Sequence, residues 1–144
     1  MNKSFLLSLV LFFATFFLAQ GQSVLGKWKT IDDATGEAKS IVEVYEKSGK
    51  VYGKIVEILR ADHKKDLCSS CKGVLKNKPI LGMVIISGLI KEGKEYNSGT
   101  ILDPTNGKEY KCYITLDGAD KLKLRGYIGI SIVGRTQYWS RVKS

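Results

Sequence analysis

The chain has few of the residues that linkers and catalytic sites require. It contains two prolines, three cysteines and one histidine among 144 residues. Scarce proline and the absence of any low-complexity tract or internal repeat argue against a multidomain chain. There is no Gly-x-Ser-x-Gly motif and no phosphate-cradling loop, and the acid pair Asp32-Asp33 is typical of a solvated turn. The sequence therefore predicts a non-enzymatic protein without a cofactor.

Phenylalanine is missing from most of the chain, because all five phenylalanines precede residue 18. Residues 5–18 are almost wholly apolar, follow Lys3 and lead into Ala19-Gln20-Gly21, a typical cleavage sequence. The run is too short for a comfortable membrane span, which favours a signal peptide at residues 1–21 over an uncleaved anchor. No cysteine follows the run, so a lipoprotein anchor is disfavoured. We expect one exported domain at residues 22–144, periplasmic or secreted.

Acidic residues are in the minority, with 14 Asp and Glu against 23 Lys and Arg. Removing Lys3 with the signal peptide lowers the net charge from +9 to +8. Residues 59–79 supply half of this excess, with six basic and two acidic side chains. Export makes nucleic acid an improbable partner, so an anionic lipid or glycan surface or an acidic ligand fits better. Solubility alone also accounts for a charge of this size.

Apolar residues recur with a period of two rather than 3.6, which indicates β-strands. Turn sequences such as Ser48-Gly49 and Asn106-Gly107 separate the strands. Short antiparallel strands in succession predict either a sandwich or an up-and-down barrel, and we favour the barrel. Eight strands are predicted, at residues 25–30, 40–46, 51–58, 83–90, 96–102, 109–116, 121–127 and 134–142.

Two short motifs at the ends of the predicted domain resemble the calycin pattern of lipocalins and fatty-acid-binding proteins. Gly26-Lys27-Trp28 begins the first strand, and Arg141 lies near the end of the last. The resemblance implies that Arg141 packs over the Trp28 indole and seals one end of the barrel. Both residues would then be structural, since a guanidinium can stack on an indole and donate hydrogen bonds to carbonyls at once.

A further resemblance extends over nearly all of the chain after residue 25. The chain resembles the exported bacterial family called domain of unknown function 2147 (DUF2147). The likeness brings with it no established activity and no agreed catalytic residues. It rests on an ordered set of motifs: Gly26-Lys27-Trp28, Tyr52-Gly53-Lys54-Ile55, Pro79-Ile80-Leu81-Gly82-Met83, residues 103–110, Arg125-Gly126-Tyr127-Ile128-Gly129 and residues 134–141.

The cysteines allow several interpretations. A Cys68–Cys71 disulfide would close about four residues and stabilise by roughly 2 kcal/mol, and Cys71–Cys112 would close about forty and stabilise by roughly 4 kcal/mol. We favour Cys68–Cys71, because Cys112 lies on an apolar strand face and is typical of a buried small hydrophobe. A metal or redox site using His63, Cys68 and Cys71 is the alternative, but the sequence has too few ligands for a structural zinc and no βαβ context.

Three strand faces near the C-terminus carry polar side chains suited to a ligand. We expect the side chains of Arg125, Tyr127, Arg135, Gln137 and Tyr113 to bind a small amphipathic or acidic ligand inside the barrel. Arginine binds carboxylate and phosphate groups bidentately, although charged residues more often face solvent. The alternative function is an interaction with the cell envelope through the basic loop 60–78.

Overall fold

The protein is described here by a computed structural model of residues 22–143, so the predicted signal peptide lies outside the described residues. Eight strands make up almost all of the regular structure. They are β1 Gly26–Ile31, β2 Ala38–Lys47, β3 Lys50–Ile58, β4 Val84–Glu92, β5 Glu95–Asp103, β6 Lys108–Leu116, β7 Lys121–Tyr127 and β8 Gly134–Arg141.

The strands form one closed antiparallel barrel in sequence order. Each strand pairs with the next, and β8 returns to β1 through the pairs Trp28↔Arg141 and Lys29↔Ser140. The predicted eight-stranded up-and-down barrel is confirmed, and closure excludes the sandwich because no sheet edge remains. Among residues 22–143, no helix has the length and apolarity needed to cross a bilayer.

Strand β7 shows how the alternating sequence builds the wall. Leu122 and Leu124 are buried in the interior, whereas Lys121 is exposed and Lys123 is half-buried on the outer surface. Successive side chains of a strand point to opposite faces, so the alternation alone assigns the leucines to the core. The same rule places Arg125 on the outside, because it follows Leu124 by one residue.

One end of the barrel is closed by side chains. The Trp28 indole is fully buried, and its Nε1 donates a hydrogen bond to the Val24 carbonyl at 2.8 Å. The Arg141 guanidinium lies 4.3 Å from the centroid of the Trp28 ring. It also donates to the carbonyls of Ser23, Leu25 and Ala119. We call this the closed end.

The other end carries the longer connections between strands, and we call it the open end. Residues 59–83 form the longest of them and contain two short 3-10 turns, Ala61–His63 and Gly73–Leu75. The predicted Cys68–Cys71 disulfide is confirmed within this segment, and Cys112 is free and buried. The segment crosses toward the turn between β5 and β6, where Gly107 approaches the Ser70 backbone.

Candidate functional site

A cavity of about 640 Å³ lies inside the open end of the barrel. Its walls come from the strand halves nearest that end, and segment 59–83 and the connections after β5 and β7 surround its mouth. The interior of the closed half is filled by the buried side chains of Val44, Leu89, Ile114 and Leu122. Most of the wall area is apolar, and the lining residues include Ile55, Ile58, Ile85, Ile101, Leu124 and Trp139.

Polar groups inside the cavity are bonded to one another. The hydroxyl groups of Thr30 and Ser40, both buried, share a hydrogen bond of 2.8 Å. Trp139 Nε1 donates to Gln137 Oε1 at 3.0 Å, and Gln137 Nε2 donates to Asp33 Oδ2 at 2.9 Å. This relay connects the buried indole to the mouth of the cavity and fixes which end of the Gln137 amide faces Asp33.

Two consecutive carboxylates each hold an arginine at the mouth. Asp32 Oδ2 lies 2.7 Å from Arg60 Nη2, and Asp33 Oδ2 lies 3.0 Å from Arg135 Nε. Because Asp32 and Asp33 are neighbours in the chain, they bring together arginines from segment 59–83 and from β8. We call these four residues the Arg–Asp rim.

The two carboxylates of the Arg–Asp rim differ in their surroundings. The Arg60 hydrogen bond, together with the backbone N–H groups of Ala34 and Thr35, lowers the pKa of Asp32 to about 2. Asp32 is therefore ionised throughout the physiological pH range. Its charge stabilises the position of Arg60 above the cavity.

Arg60 has hydrogen-bonding capacity that the protein leaves unused. Its side chain lines the cavity, and its Nε is buried without an acceptor among residues 22–143. A buried donor without a partner is unfavourable by about 1–3 kcal/mol. The Nε is closed off from the cavity, so a hydrogen bond from Arg60 to a molecule there would come from its Nη groups.

The structure brings three of the five predicted ligand-binding residues to the cavity. Arg135 and Gln137 line it from β8. Tyr127 borders it at the end of β7, with its ring packed against the Tyr113 ring at 6.4 Å between centroids. Arg125 and Tyr113 are not among the lining residues. They pair with each other across β6 and β7 on the outer face, because both alternate with buried leucine or isoleucine neighbours.

Arg125 instead holds the connection between β7 and β8 in place. Its Nε donates to the Ser131 carbonyl at 2.5 Å, its Nη2 to the Ile132 carbonyl at 3.0 Å and its Nη1 to Thr136 Oγ1 at 2.8 Å. The expectation that Arg125 contacts a ligand head group therefore has no support from its position. The guanidinium serves loop 128–133 from outside the barrel.

Arg60 is the cavity residue that the sequence did not single out. It belongs to the basic loop 60–78, in which five lysines follow it. The available signal was its identity and position: it is the only arginine of that loop, and it follows the end of a strand closely. An arginine at a strand end can point its planar fork toward the barrel mouth, whereas the lysines farther along the loop face water.

The cysteines and the histidine do not assemble a metal site in this structure. Cys68 and Cys71 share the disulfide, and His63 Nδ1 lies 2.7 Å from Asp66 Oδ2. No group of three or more His, Cys, Asp or Glu side chains within residues 22–143 is placed to hold a metal ion. Burial raises the pKa of the Cys112 thiol to about 12, so it stays protonated and poorly nucleophilic at neutral pH.

Comparisons with known proteins agree with this architecture. The family described as "Uncharacterized protein conserved in bacteria (DUF2147)" matches residues 26–141. Protein HP1028 from Helicobacter pylori, described as belonging to the lipocalin family, has a similar structure with a TM-score of 0.76 and 22% identity over 85% of each chain. No match was found among curated proteins. The predicted family is confirmed: the chain belongs to the DUF2147 family and folds as a lipocalin-like barrel.

Proposed function

We propose that the barrel binds a small amphipathic molecule with an acidic head group. The observation that carries this proposal is the cavity of about 640 Å³ with an apolar interior and two arginines at its mouth. Ligand sites in proteins are typically concave, mostly apolar and about 300–1,000 Å³ in volume, with a few polar groups that fix orientation. The apolar part of the ligand would lie against Ile55, Ile85 and Leu124.

The acidic head would lie at the Arg–Asp rim. The Arg60 side chain is 26% exposed and bonded to Asp32 through its Nη2, and the Arg135 side chain is 66% exposed and bonded to Asp33 through its Nε. Each guanidinium therefore retains donors for a carboxylate or phosphate oxygen. The aspartates also hold both arginines in place before a ligand arrives, which reduces the ordering cost of binding.

We also propose that this binding takes place outside the cytoplasm. The Cys68–Cys71 disulfide supports this location, because disulfides persist in oxidising compartments. The apolar stretch at residues 5–18 supports it as well. The role proposed here is carriage or storage of a ligand rather than catalysis, since both carboxylates of the Arg–Asp rim are engaged by arginines.

The experiment compares two probes that share one tail. Protein produced from the full chain is purified, its mass is recorded under native conditions, and it is titrated with dodecanoate and with dodecanol. A measured mass equal to that of a chain beginning near residue 22 would support export. A native mass above the mass of the chain would indicate a co-purified ligand. We expect dodecanoate to bind more tightly than dodecanol, because only the acid can accept from both arginines.

Variants identify the head-group contacts. In Arg60→Gln with Arg135→Gln, the affinity for dodecanoate should fall by about ten- to a hundredfold, as expected when hydrogen bonds to a charged group are lost. The affinity for dodecanol should stay within about twofold, since apolar burial is unchanged. Lys54→Gln removes an exposed charge from the outer face of β3 and serves as the control. Equal affinity of the double variant and the parent for dodecanoate would exclude the proposed head-group site.

A further inference from the structure

The most exposed aliphatic side chains of residues 22–143 are concentrated at the open end. The six large hydrophobic residues with the greatest exposure all belong to segment 59–83 or to loop 128–133. Val74 is 85% exposed and Ile132 is 81% exposed. Single exposed aliphatics are common on soluble proteins, but a concentration on two loops around one cavity mouth indicates an interaction surface.

Loop 128–133 is held in a conformation that presents these side chains. Its base is closed by the Ile128 N–H donating to the Val133 carbonyl at 3.1 Å. Arg125 donates hydrogen bonds to the Ser131 and Ile132 carbonyls from outside the barrel. With those backbone groups bonded, Ile130 and Ile132 remain directed to solvent, at 62% and 81% exposure. The exposed isoleucines therefore belong to a loop whose backbone is held by hydrogen bonds.

Segment 59–83 supplies the charge. Val74 lies in the 3-10 turn Gly73–Leu75, with Lys72 on one side and Lys76 and Lys78 on the other. Lys76 donates to the Ser69 carbonyl within the segment. Among the described residues, no carboxylate lies within ion-pair distance of its other exposed lysines, Lys64, Lys65, Lys72 and Lys78. Of the acidic side chains at the open end, Asp32, Asp33 and Asp66 are paired with Arg60, Arg135 and His63. Asp62 and Asp103 have no ion-pair partner among the described residues, so lysines still outnumber free carboxylates on this face.

We propose that the open end docks onto an anionic lipid bilayer, with Val74, Ile130 and Ile132 entering the headgroup layer and the lysines of segment 59–83 contacting lipid phosphates. Aliphatic side chains beside lysines match the two layers of such a surface, because the tips enter the acyl boundary and the ammonium groups stay at the phosphates. Docking places the cavity mouth against the bilayer. It goes beyond ligand binding and does not require the cavity to hold any molecule.

The test uses the purified protein and vesicles of phosphatidylcholine with or without phosphatidylglycerol, at low and high salt. We expect cosedimentation with the anionic vesicles at low salt and weaker binding at high salt, because exposed charges are screened. Absence of binding to anionic vesicles at low salt would overturn the proposal. Equal binding to neutral vesicles would overturn the role of the lysines.

Charge reversal at the two ends of the barrel gives a matched comparison. Lys64→Glu with Lys65→Glu should weaken vesicle binding by about tenfold or more, since each lysine near an anionic surface contributes about 1 kcal/mol. Lys47→Glu with Lys50→Glu makes the same change beside the turn at the closed end. Binding of that control should stay within about threefold of the parent, reflecting only the change in net charge. Equal loss in both pairs would overturn the assignment of the docking face.

Substitutions at two isoleucines test the aliphatic contacts with the bilayer. Ile132→Ser should weaken binding by about tenfold, in line with the burial of an aliphatic side chain, whereas Ile90→Ser on β4 should not. In a second pair, Ile132→Trp should show a blue-shifted emission with anionic vesicles, and Ile90→Trp should show none. Both variants keep the two native tryptophans, which are buried, so a difference between their emission shifts reports on positions 132 and 90. Lipid-independent self-association that Ile132→Ser abolishes would assign the patch to a second copy and overturn the proposal.

Discussion

At the residue scale, each arginine of residues 22–143 has a distinct set of partners. Arg141 covers Trp28 and bonds three carbonyls at the closed end. Arg125 bonds the loop between β7 and β8 from outside. Arg60 and Arg135 stand at the cavity mouth with aspartate partners. A planar guanidinium with five donors suits all of these positions, and a lysine could satisfy only part of each set.

The Arg141 contacts predict a measurable loss of stability. Arg141→Met should lower the free energy of unfolding by about 2–4 kcal/mol, because three carbonyls lose a charged donor and the indole loses its cation. Arg141→Lys should recover less than half, since an ammonium cannot reach all three carbonyls from above the ring. Urea unfolding monitored by tryptophan fluorescence measures both.

The control for Arg141 is a neighbouring surface pair. Lys143 lies 3.4 Å from Asp120, and both side chains are largely exposed. Lys143→Met should therefore change stability by no more than about 1 kcal/mol. If Arg141→Met were no more destabilising than Lys143→Met, the guanidinium would not stabilise the closed end.

At the element scale, segment 59–83 is the connection that distinguishes the open end. The Cys68–Cys71 disulfide, between residues three positions apart, cross-links its centre. The Asn77 N–H donates to the Cys68 carbonyl at 2.9 Å, and the Cys68 N–H donates to the Lys78 carbonyl at 2.8 Å. These bonds fold the segment onto itself. Its contact with the turn before β6 depends on Gly107, where an added Cβ would overlap the Ser70 carbonyl.

Gly107 gives a prediction with an internal control. Gly107→Ala should destabilise the protein by about 1–3 kcal/mol more than Gly118→Ala, because an overlap with backbone forces the segment to move. Both glycines have positive φ, at 71° and 85°, so the backbone strain of about 1–2 kcal/mol is common to the two variants. An added Cβ at Gly118 meets no atom within 4 Å.

The measurement is thermal unfolding of both variants together with the affinity for dodecanoate. Gly107→Ala should also alter the affinity, because Leu67 and Ser69 of the displaced segment line the cavity. Gly118→Ala should leave the affinity unchanged, since its turn lies at the closed end. Equal stabilities of the two variants would show that the segment adapts to the extra Cβ without a loss of stability.

At the scale of the whole molecule, the barrel is packed at one end and hollow at the other. The closed half contains large buried side chains and the Trp28–Arg141 contact. The open half contains the cavity and the loops that surround it. A site for a small molecule can exist only where the core is incomplete, and that incompleteness removes packing contacts from the same half.

Hydrogen exchange should reveal this asymmetry. Within a single strand, hydrogen-bonded amides near the closed end should exchange more slowly than those near the open end. The reason is that local unfolding at the open end disrupts fewer packed core contacts. In β6 the comparison is between residues 112–116 and residues 108–111. Exchange followed by NMR measures each amide, and a bound amphipathic ligand should slow the open half selectively. Uniform protection along β6 would contradict the asymmetry.

The sequence predicted most of the fold because a barrel of this kind is built from local patterns. Period-two alternation locates strands, and the turn residues between them fix their antiparallel order. All eight predicted strands overlap the observed ones, and the barrel and the Cys68–Cys71 pairing are confirmed. Alternation also contained the information that Arg125 and Tyr113 face outward, since Leu124 and Ile114 beside them are apolar.

The sequence by itself determined the strands, their order, the family and the closed-end motifs, since each depends on residues close in the chain or on an ordered set of motifs. Tertiary structure alone decided the site. Asp32 and Asp33 meet Arg60 and Arg135 across 28 and 102 positions, and a cavity exists where side chains from several strands fail to meet. Such contacts arise from barrel closure and loop placement, which no local periodicity specifies.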